Sequence, residues 1–447
     1  MVNARTRAWT RALLLAACCL ACGRAPLDAN LLIITLDTTR PDHLGCYGHE
    51  RNTSPEIDRV AADGVVYTRA FSTSSWTLPA HASLFTGKFP WSHGARLDPD
   101  GPVSLADAVQ GDDFLRSYRA SGLAPDELTL AEILAAHGFT TGAVVGGPWM
   151  KRVFGLDRGF QHYDDDGIGT VSGRKAADVT DAALAWLDHH ERERFFLFLN
   201  YYDPHAPYRD PGGYGIRFLS PQDHQSKRRI KRTTSAIGAL YDGEIRYTDD
   251  HVGRLIESLR RRGLYDDAWI IITSDHGELL YEHEQMGHGL TLYQQEIRIP
   301  LIVKFPADAG RSGGDDTPIQ LTDVFVMVLE GLGLPLPSGV RGHDGLLPVF
   351  AEVYPQEWRS RGGDWRVLLD GDLKLHWNSR GQHRLFDLTS DPGEESNLAP
   401  DDPQRVQAME SALEHFLAGL PPPAPRGPPQ ALDPETQEAL RNLGYLE

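Results

Sequence analysis

Asn30-Leu31-Leu32-Ile33-Ile34-Thr35-Leu36-Asp37 is a continuous apolar run, rich in β-branched residues, that stops on a carboxylate. Hydrophobicity without alternation is the pattern of a strand covered on both faces, as in a parallel sheet. Ala268-Trp269-Ile270-Ile271-Ile272-Thr273-Ser274-Asp275-His276-Gly277 repeats the design, with Asp-His at the end of the run. Phe195-Phe196-Leu197-Phe198-Leu199-Asn200 is a third such run, followed by Tyr202-Asp203-Pro204-His205-Ala206-Pro207. In open α/β sheets ligands gather beyond the carboxyl ends of strands. Asp37, Asp275, His276 and His205 are therefore expected at one edge of an α/β domain.

The segments between these runs carry helix signals. Ser54-Pro55 opens a helix that Gly64 stops, Leu128 to Gly138 reads as a second and Ile237 to Arg262 as a long third. Val65-Val66-Tyr67 and Thr140 to Val145 read as strands, and Thr322-Asp323 opens a helix stopped by Gly333. Ser75-Trp76-Thr77-Leu78-Pro79-Ala80-His81 begins as a polar turn and passes into a helix that ends on Gly87. A hydroxyl at a helix start faces backbone N–H groups and the positive end of the dipole, which suits an anion or a developing alkoxide. The bland alternative is an ordinary helix start with Thr77 in the cap region. Past Gly345 short strands around Trp365–Leu369 and Lys374–Trp377 precede Leu385 to Ala399, a helix over Pro403 to Leu417, and a Pro-rich linker with a terminal helical piece.

The 447 residues are 41% hydrophobic, enough for a large core, and carry a net charge of −18. That charge argues against nucleic acid as a partner. An anionic substrate would need local cations: a metal, Lys or His. Met1 to Gly23 has the form of an export signal, with Arg5, Arg7 and Arg11 before the short apolar stretch Ala12 to Ala21. Leu15-Ala16-Ala17-Cys18 resembles a bacterial lipobox, and Cys22-Gly23 offers a second site. The expectation is a periplasmic or cell-surface lipoprotein that meets the membrane through a lipid anchor. Cys46 is the one cysteine outside this leader, so no disulfide framework is expected. Lys227-Arg228-Arg229 with Lys231-Arg232 reads as a solvated basic loop face.

Asp37 to Gly48, Thr77-x-Pro79-x-His81 with Thr86-Gly87, Asp203-Pro204-His205-x-Pro207, Asp275-His276-Gly277, Gly287-His288-Gly289 and Leu385 to Ala399 together resemble the sulfatase family of the alkaline phosphatase superfamily. The resemblance covers nearly the whole mature chain. It implies an alkaline-phosphatase-like three-layer sandwich with a mostly parallel central sheet, plus a small C-terminal antiparallel-sheet subdomain. The implied boundaries are a leader over 1–22, a catalytic domain over 28–345, the subdomain over 346–417 and a linker with terminal helix over 418–447. Several positions depart from the family pattern. Thr77 stands where sulfatases carry the Cys or Ser that becomes formylglycine, an aldehyde that threonine cannot give. Thr-x-Pro-x-His instead resembles the nucleotide pyrophosphatase/phosphodiesterase branch, in which threonine attacks phosphorus. His81 stands in the arginine position, Thr38 where many members have a second aspartate, Gly146-Gly147-Pro148-Trp149 where they have Gly-Lys-Trp-His, and His288 where they often have an anion-binding lysine.

By this resemblance one divalent metal ion is held by Asp37, Asp275 and His276, with Thr77 Oγ as a further ligand. Imidazole favours zinc or manganese, with calcium as the remaining option. The metal would lower the pKa of the Thr77 hydroxyl, which would then attack the anionic ester and form a covalent intermediate. His205 and His288 would neutralise nonbridging oxygens or protonate the leaving group, and His81 could stand in for the arginine, with Lys88 as a further candidate. The function expected is hydrolysis of sulfate or phosphate esters. The alternatives are an envelope phosphotransferase acting on lipid or glycan, and a non-catalytic binder that kept the fold.

Overall fold

The computed structural model describes residues 29–111, 113–220, 234–340, 348–355 and 362–422. Its central sheet is built from β1 (Leu31–Leu36), β2 (Val65–Phe71), β3 (Thr140–Val144), β4 (His162–Asp164), β5 (Phe195–Tyr201), β6 (Trp269–Thr273) and β7 (Arg298–Lys304). With two short edge strands, Gly313–Asp315 and Ile319–Gln320, it has nine members. The spatial order is β2-β7-β6-β1-β5-β3-β4, with Gly313–Asp315 outside β2. Strand β7 runs antiparallel to both its neighbours, and the other pairings are parallel.

The three apolar runs are the three central strands. β1 pairs with β5 on one side and β6 on the other, in a register that sets Thr35 opposite Asn200 and Thr273. The sequences after these strands therefore leave the sheet side by side. All residues of β1, β5 and β6 are buried, as expected for strands covered on both faces. Alternate residues divide between two cores. Leu31, Ile33, Phe196, Phe198 and Ile271 face one, while Leu32, Ile34, Leu197, Ile270 and Ile272 face the other.

Among the described residues the helices of seven or more residues are α1 (Pro55–Ala62), α2 (Thr77–Thr86), α3 (Leu130–Ala136), α4 (Ala176–His190), α5 (Thr234–Arg261), α6 (Leu321–Gly331) and α7 (Pro403–Ala418). Helix α2 is buried at every residue and packs on α6. It ends at Gly87, whose φ of 66° is the left-handed turn that glycine accepts and whose missing Cβ leaves room for Phe325. Ser54 does not cap α1. Its hydroxyl instead lies 3.0 Å from Asp58, and Asp249 of α5 accepts from the N–H groups of Glu56 and Ile57.

The C-terminal sheet is β8 (Val349–Val353), β9 (Trp365–Asp370), β10 (Leu373–Asn378) and β11 (Arg384–Asp387), antiparallel throughout and in chain order. One face, with Ala351, Val367 and Leu369, packs on Phe71, Leu292 and Ile297 from the part of the chain that carries the central sheet. The other, with Phe350, Leu368 and Leu375, is closed by α7 through Met409, Leu413 and Phe416. On the first of these faces a buried ion cluster reaches back toward Leu292 and Gln294. Lys374 Nζ lies 2.7 Å from Glu394 Oε1 and donates to Leu292 O at 2.8 Å. Glu394 Oε2 accepts from Gln294 N at 2.6 Å. Cys46 is a half-buried free thiol packed beside the second core. The leader, the basic run Lys227–Arg232 and the terminal helical piece lie outside the described residues. Among the described residues no helix is long and apolar enough to cross a membrane.

Candidate active site

Asp37 follows β1, Asp275 and His276 follow β6, and the parallel register brings them together. One ligand atom from each of Asp37, Asp275 and His276 lies within 4.8 Å of the other two, and all three side chains are buried. Asp37 Oδ1, Asp37 Oδ2 and Asp275 Oδ2 have no hydrogen-bond partner. Buried carboxylate oxygens without donors are costly. A divalent cation among them would supply what the protein does not, so these residues fit a metal. Burial and the neighbouring Asp275 charge push the Asp37 pKa well above the ordinary carboxylate range. Burial would raise Asp275 too, but His276 and His81 hold it below its ordinary value.

His276 is oriented by its own chain. Its Nδ1 donates to Gly277 O at 2.9 Å, which places the proton there. Nε2 then presents a lone pair 3.4 Å from Asp275 Oδ2 and 3.3 Å from Thr77 Oγ1. Asp275 Oδ1 accepts from the N–H groups of Thr38 and His276, which leaves Oδ2 as its ligand atom. Thr77 is the first residue of α2. Its hydroxyl caps nothing and lies against the cluster instead.

His81 lies one turn along α2, beneath this group. Its Nδ1 donates to Thr77 O at 2.9 Å, and Nε2 accepts from the Thr35 hydroxyl at 3.0 Å. The ring packs on Phe85 and Phe198, and burial lowers its pKa. Both ring nitrogens are thereby engaged within the fold. The ring braces the start of α2 against β1. Lys88 is likewise occupied, by Glu127 at 2.6 Å.

His205 and His288 do reach the cluster. The His288 ring lies 4.5 Å from His276, 4.9 Å from His205 and 5.5 Å from Trp76, centroid to centroid. His205 stacks on Tyr202, and burial together with the His288 charge lowers its pKa to about 4. Gly146 and Gly147 donate their N–H groups to Asn200 Oδ1. A Cβ at Gly147 would stand 3.5 Å from Asp37 Oδ2, so the backbone passes close to the site. The Thr38 hydroxyl turns away to Pro204 O. Asp203 also turns away and accepts from Ala176 N at the start of α4, which leaves it out of the metal cluster.

Three contributors were not singled out from sequence: Glu278, Tyr208 and Trp76. Glu278 is buried, and its Oε1 lies 2.9 Å from His288 Nδ1 while Oε2 accepts from Tyr208 OH at 2.9 Å. Its place directly after Asp275-His276-Gly277 was the available signal. Gly289, at a φ of 78°, lies flat against the Trp76 ring, where a Cβ would come within 1.9 Å of Cε3.

Residues 29–334 match the model of the Sulfatase family. The chain belongs to the sulfatase family. Curated relatives include sulfatase YidJ of Escherichia coli, 25% identical over 83% of each chain. The multifunctional alkaline phosphatase superfamily protein PehA of Trinickia caryophylli is 28% identical over 83% of this chain and 91% of its own. Among solved structures, the phosphonate monoester hydrolase of Agrobacterium radiobacter superposes with a TM-score of 0.67 at 20% identity, covering 87% of this chain and 95% of its own. Another, in complex with its substrate D-glucosamine-2-N,6-O-disulfate, superposes with a TM-score of 0.64 at 16% identity, covering 88% of this chain and 98% of its own. The alkaline-phosphatase-like fold, with its C-terminal antiparallel sheet, is thereby shared. As a sulfatase-family member the chain is a hydrolase of sulfuric or phosphoric esters and takes an anionic ester as substrate. Enzymes of the family use a divalent metal, and Asp37, Asp275 and His276 are this sulfatase-family chain's candidate ligands.

Proposed function

We propose that the protein is a metal-dependent hydrolase of phosphate esters, phosphodiesters foremost, with Thr77 as the nucleophile. The observation that carries the reading is the position of Thr77 Oγ1, 3.3 Å from His276 Nε2 at the start of a buried helix and beside three unpartnered carboxylate oxygens. Asp37, Asp275, His276 and Thr77 would hold the ion, zinc or manganese by the imidazole in the set. The ion supplies the positive charge that makes the Thr77 hydroxyl easier to deprotonate. Thr77 Oγ attacks phosphorus in line with the leaving oxygen. The new O–P bond forms as the old one breaks, giving a phosphothreonine ester. Water then attacks phosphorus and frees Thr77. His205 and His288 line the pocket and contact the nonbridging and leaving oxygens. Threonine lacks the aldehyde hydrate by which a formylglycine releases sulfate, and this favours phosphorus over sulfur.

The test is hydrolysis of matched aryl sulfate, phosphate monoester and phosphodiester substrates with Zn²⁺, Mn²⁺ or Ca²⁺ added. Expected are phosphodiester turnover with Zn²⁺ or Mn²⁺, loss of at least about 1,000-fold in Thr77→Ala, and phosphate on Thr77 in acid-quenched samples analysed by mass spectrometry. Sulfate turnover that survives Thr77→Ala would overturn the assignment. In the same reading Met1 to Gly23 exports the chain and Cys18 or Cys22 carries a lipid anchor. Palmitate labelling that persists in Cys18→Ala/Cys22→Ala would refute that part.

A further inference from the structure

Outside the candidate active site the described residues hold one further group of metal-ligating side chains, His43, His49 and Asp242. The segment after Asp37 runs onto helix α5, where Leu44 packs with Tyr241 and Ile245. It turns at Gly48, whose φ of 95° is left-handed and suits glycine. The turn returns His49 beside His43, with ring centroids 5.0 Å apart. Both meet Asp242 of α5, a fully buried carboxylate. His43 Nδ1 donates to Asp242 Oδ1 at 2.6 Å, and His49 Nε2 lies 3.5 Å from Oδ2. Burial would raise the Asp242 pKa, but its contacts with His43, His49 and Arg51 hold it well below the ordinary carboxylate range, so the group is ionised.

Neutralising Asp242 requires only Arg51, whose Nη1 lies 2.6 Å from Oδ2. Two imidazoles on the same carboxylate go beyond that need. Among the described residues His49 Nε2 is buried without a hydrogen-bond partner. Its 3.5 Å separation from Oδ2 is long for a hydrogen bond. It is close to the ~3.3 Å between two ligands of a tetrahedral zinc ion with bonds of about 2.0–2.1 Å. The rings are also braced from behind. His43 meets Tyr241 edge-on at 4.9 Å, the Tyr241 hydroxyl is fixed by Arg40 N and Thr38 O, and His43 O accepts from Thr53 Oγ1. Such outer support is what orients metal ligands. At 15% and 18% exposure the two imidazoles leave an approach from solvent. Two nitrogens and one oxygen select zinc over manganese, whereas the oxygen-rich cluster at Asp37 accepts either.

We propose that His43, His49 and Asp242 bind one zinc ion, apart from the active-site metal, and that this ion clasps the segment after Asp37 onto helix α5. Water completes the tetrahedron. The His43 Nδ1 proton leaves that nitrogen as its lone pair turns to the ion. Arg51, 41% exposed, swings from Asp242 Oδ2 into solvent.

The experiment counts zinc and manganese per chain by elemental analysis, after equilibrium dialysis of the full chain against metal-buffered solutions. Wild type should hold two zinc ions but one manganese. Asp37→Asn should keep one zinc and lose manganese, and zinc alone should raise its melting temperature. In Asp37→Asn/His49→Gln the remaining zinc should bind roughly 100-fold more weakly, and the melting response should vanish. Arg51→Gln removes the competing guanidinium and should tighten the site severalfold. Anomalous diffraction at the zinc edge on wild type needs no variant, and it should place the second ion against all three side chains. A single zinc in wild type, a second zinc seated elsewhere, or zinc retained by Asp37→Asn/His43→Gln/His49→Gln would overturn the proposal.

Discussion

Replacing Asp37 by asparagine should abolish turnover and yet stabilise the metal-free protein. Asp37 is fully buried, neither carboxylate oxygen has a hydrogen-bond partner, and it lies beside Asp275. At the 4.8 Å limit set by the cluster, two unit charges in an effective dielectric of ~20 repel by about 3.5 kcal/mol. Proton uptake by Asp37 relieves part of this in the metal-free state, which leaves a gain of about 2–3 kcal/mol for the isosteric amide. An unfolding entropy of about 2.1 cal/mol/K per residue, over 447 residues, converts 1 kcal/mol into about 1 °C. In chelator Asp37→Asn should therefore melt about 2–3 °C above wild type. With Mn²⁺ at about 1,000 times its Kd, wild type should gain about 4.1 kcal/mol and overtake the variant, which should not respond. Calorimetry with and without metal reads both shifts. A variant that melts below wild type in chelator, or that keeps the metal-dependent rise, would refute the assignment of Asp37 as a ligand held at a cost to the empty fold.

Gly289→Ala forces a Cβ into the Trp76 ring at a φ of 78°; it should cost about 1–3 kcal/mol and lower kcat by displacing the neighbouring His288, read by melting and turnover. Ser75→Ala removes the donor to Thr291 O, a buried 2.7 Å bond that ties the turn before Thr77 to the segment after His288; the orphaned carbonyl should cost about 1–3 kcal/mol in a urea melt. Burial alone would raise the pKa of Glu394, but Lys374 and His376 hold it down at about 2, against an ordinary 4.5. A depressed carboxylate stabilises the fold above its unfolded pKa and loses that contribution as pH falls toward its folded one. Between pH 4.5 and 2 wild type should lose about 3 kcal/mol from this group, and Glu394→Gln should show a shallower acid slope in stability measured against pH.

Much of the fold could be read because the decisive strands are uninterrupted. β1, β5 and β6 are buried on both faces, and no tertiary detail competes with an unbroken apolar run. Their common direction then brought Asp37, Asp275 and His276 to one edge. What escaped depends on partners far away in the chain. Helix α4 went unrecognised because Lys175 stands at its cap position and makes no cap, the work being done by Asp203. At α1 the local pattern pointed to Ser54 and the structure uses Asp249, nearly two hundred residues on. Strand β8 lies beyond the masking texture of Pro and Gly, and its alternation gains meaning only against β9 and α7. At the site, chemistry-bearing residues were found by type, but orientation was not. His81 reads as a cation in a motif, and the sequence does not show that Thr35 and Thr77 O engage its two nitrogens. Glu278 reads as the tail of a metal motif and becomes relevant only when the hairpin returns His288 to it.

The clasp of Lys374 and Glu394 on Leu292 and Gln294 bears on the order in which the protein is made. A ribosome releases every strand of the central sheet and all of the candidate metal ligands before residue 330. The segment that follows His288 nevertheless waits for two side chains from some eighty to one hundred residues later. Until Glu394 emerges, Gln294 N lacks its acceptor and the loop behind His288 has nothing to close against. A chain folding from its N-terminus can thus hold a finished sheet while the segment carrying Leu292 and Gln294 still lacks its partners. The segment behind His288 is closed with the last sheet rather than with the first.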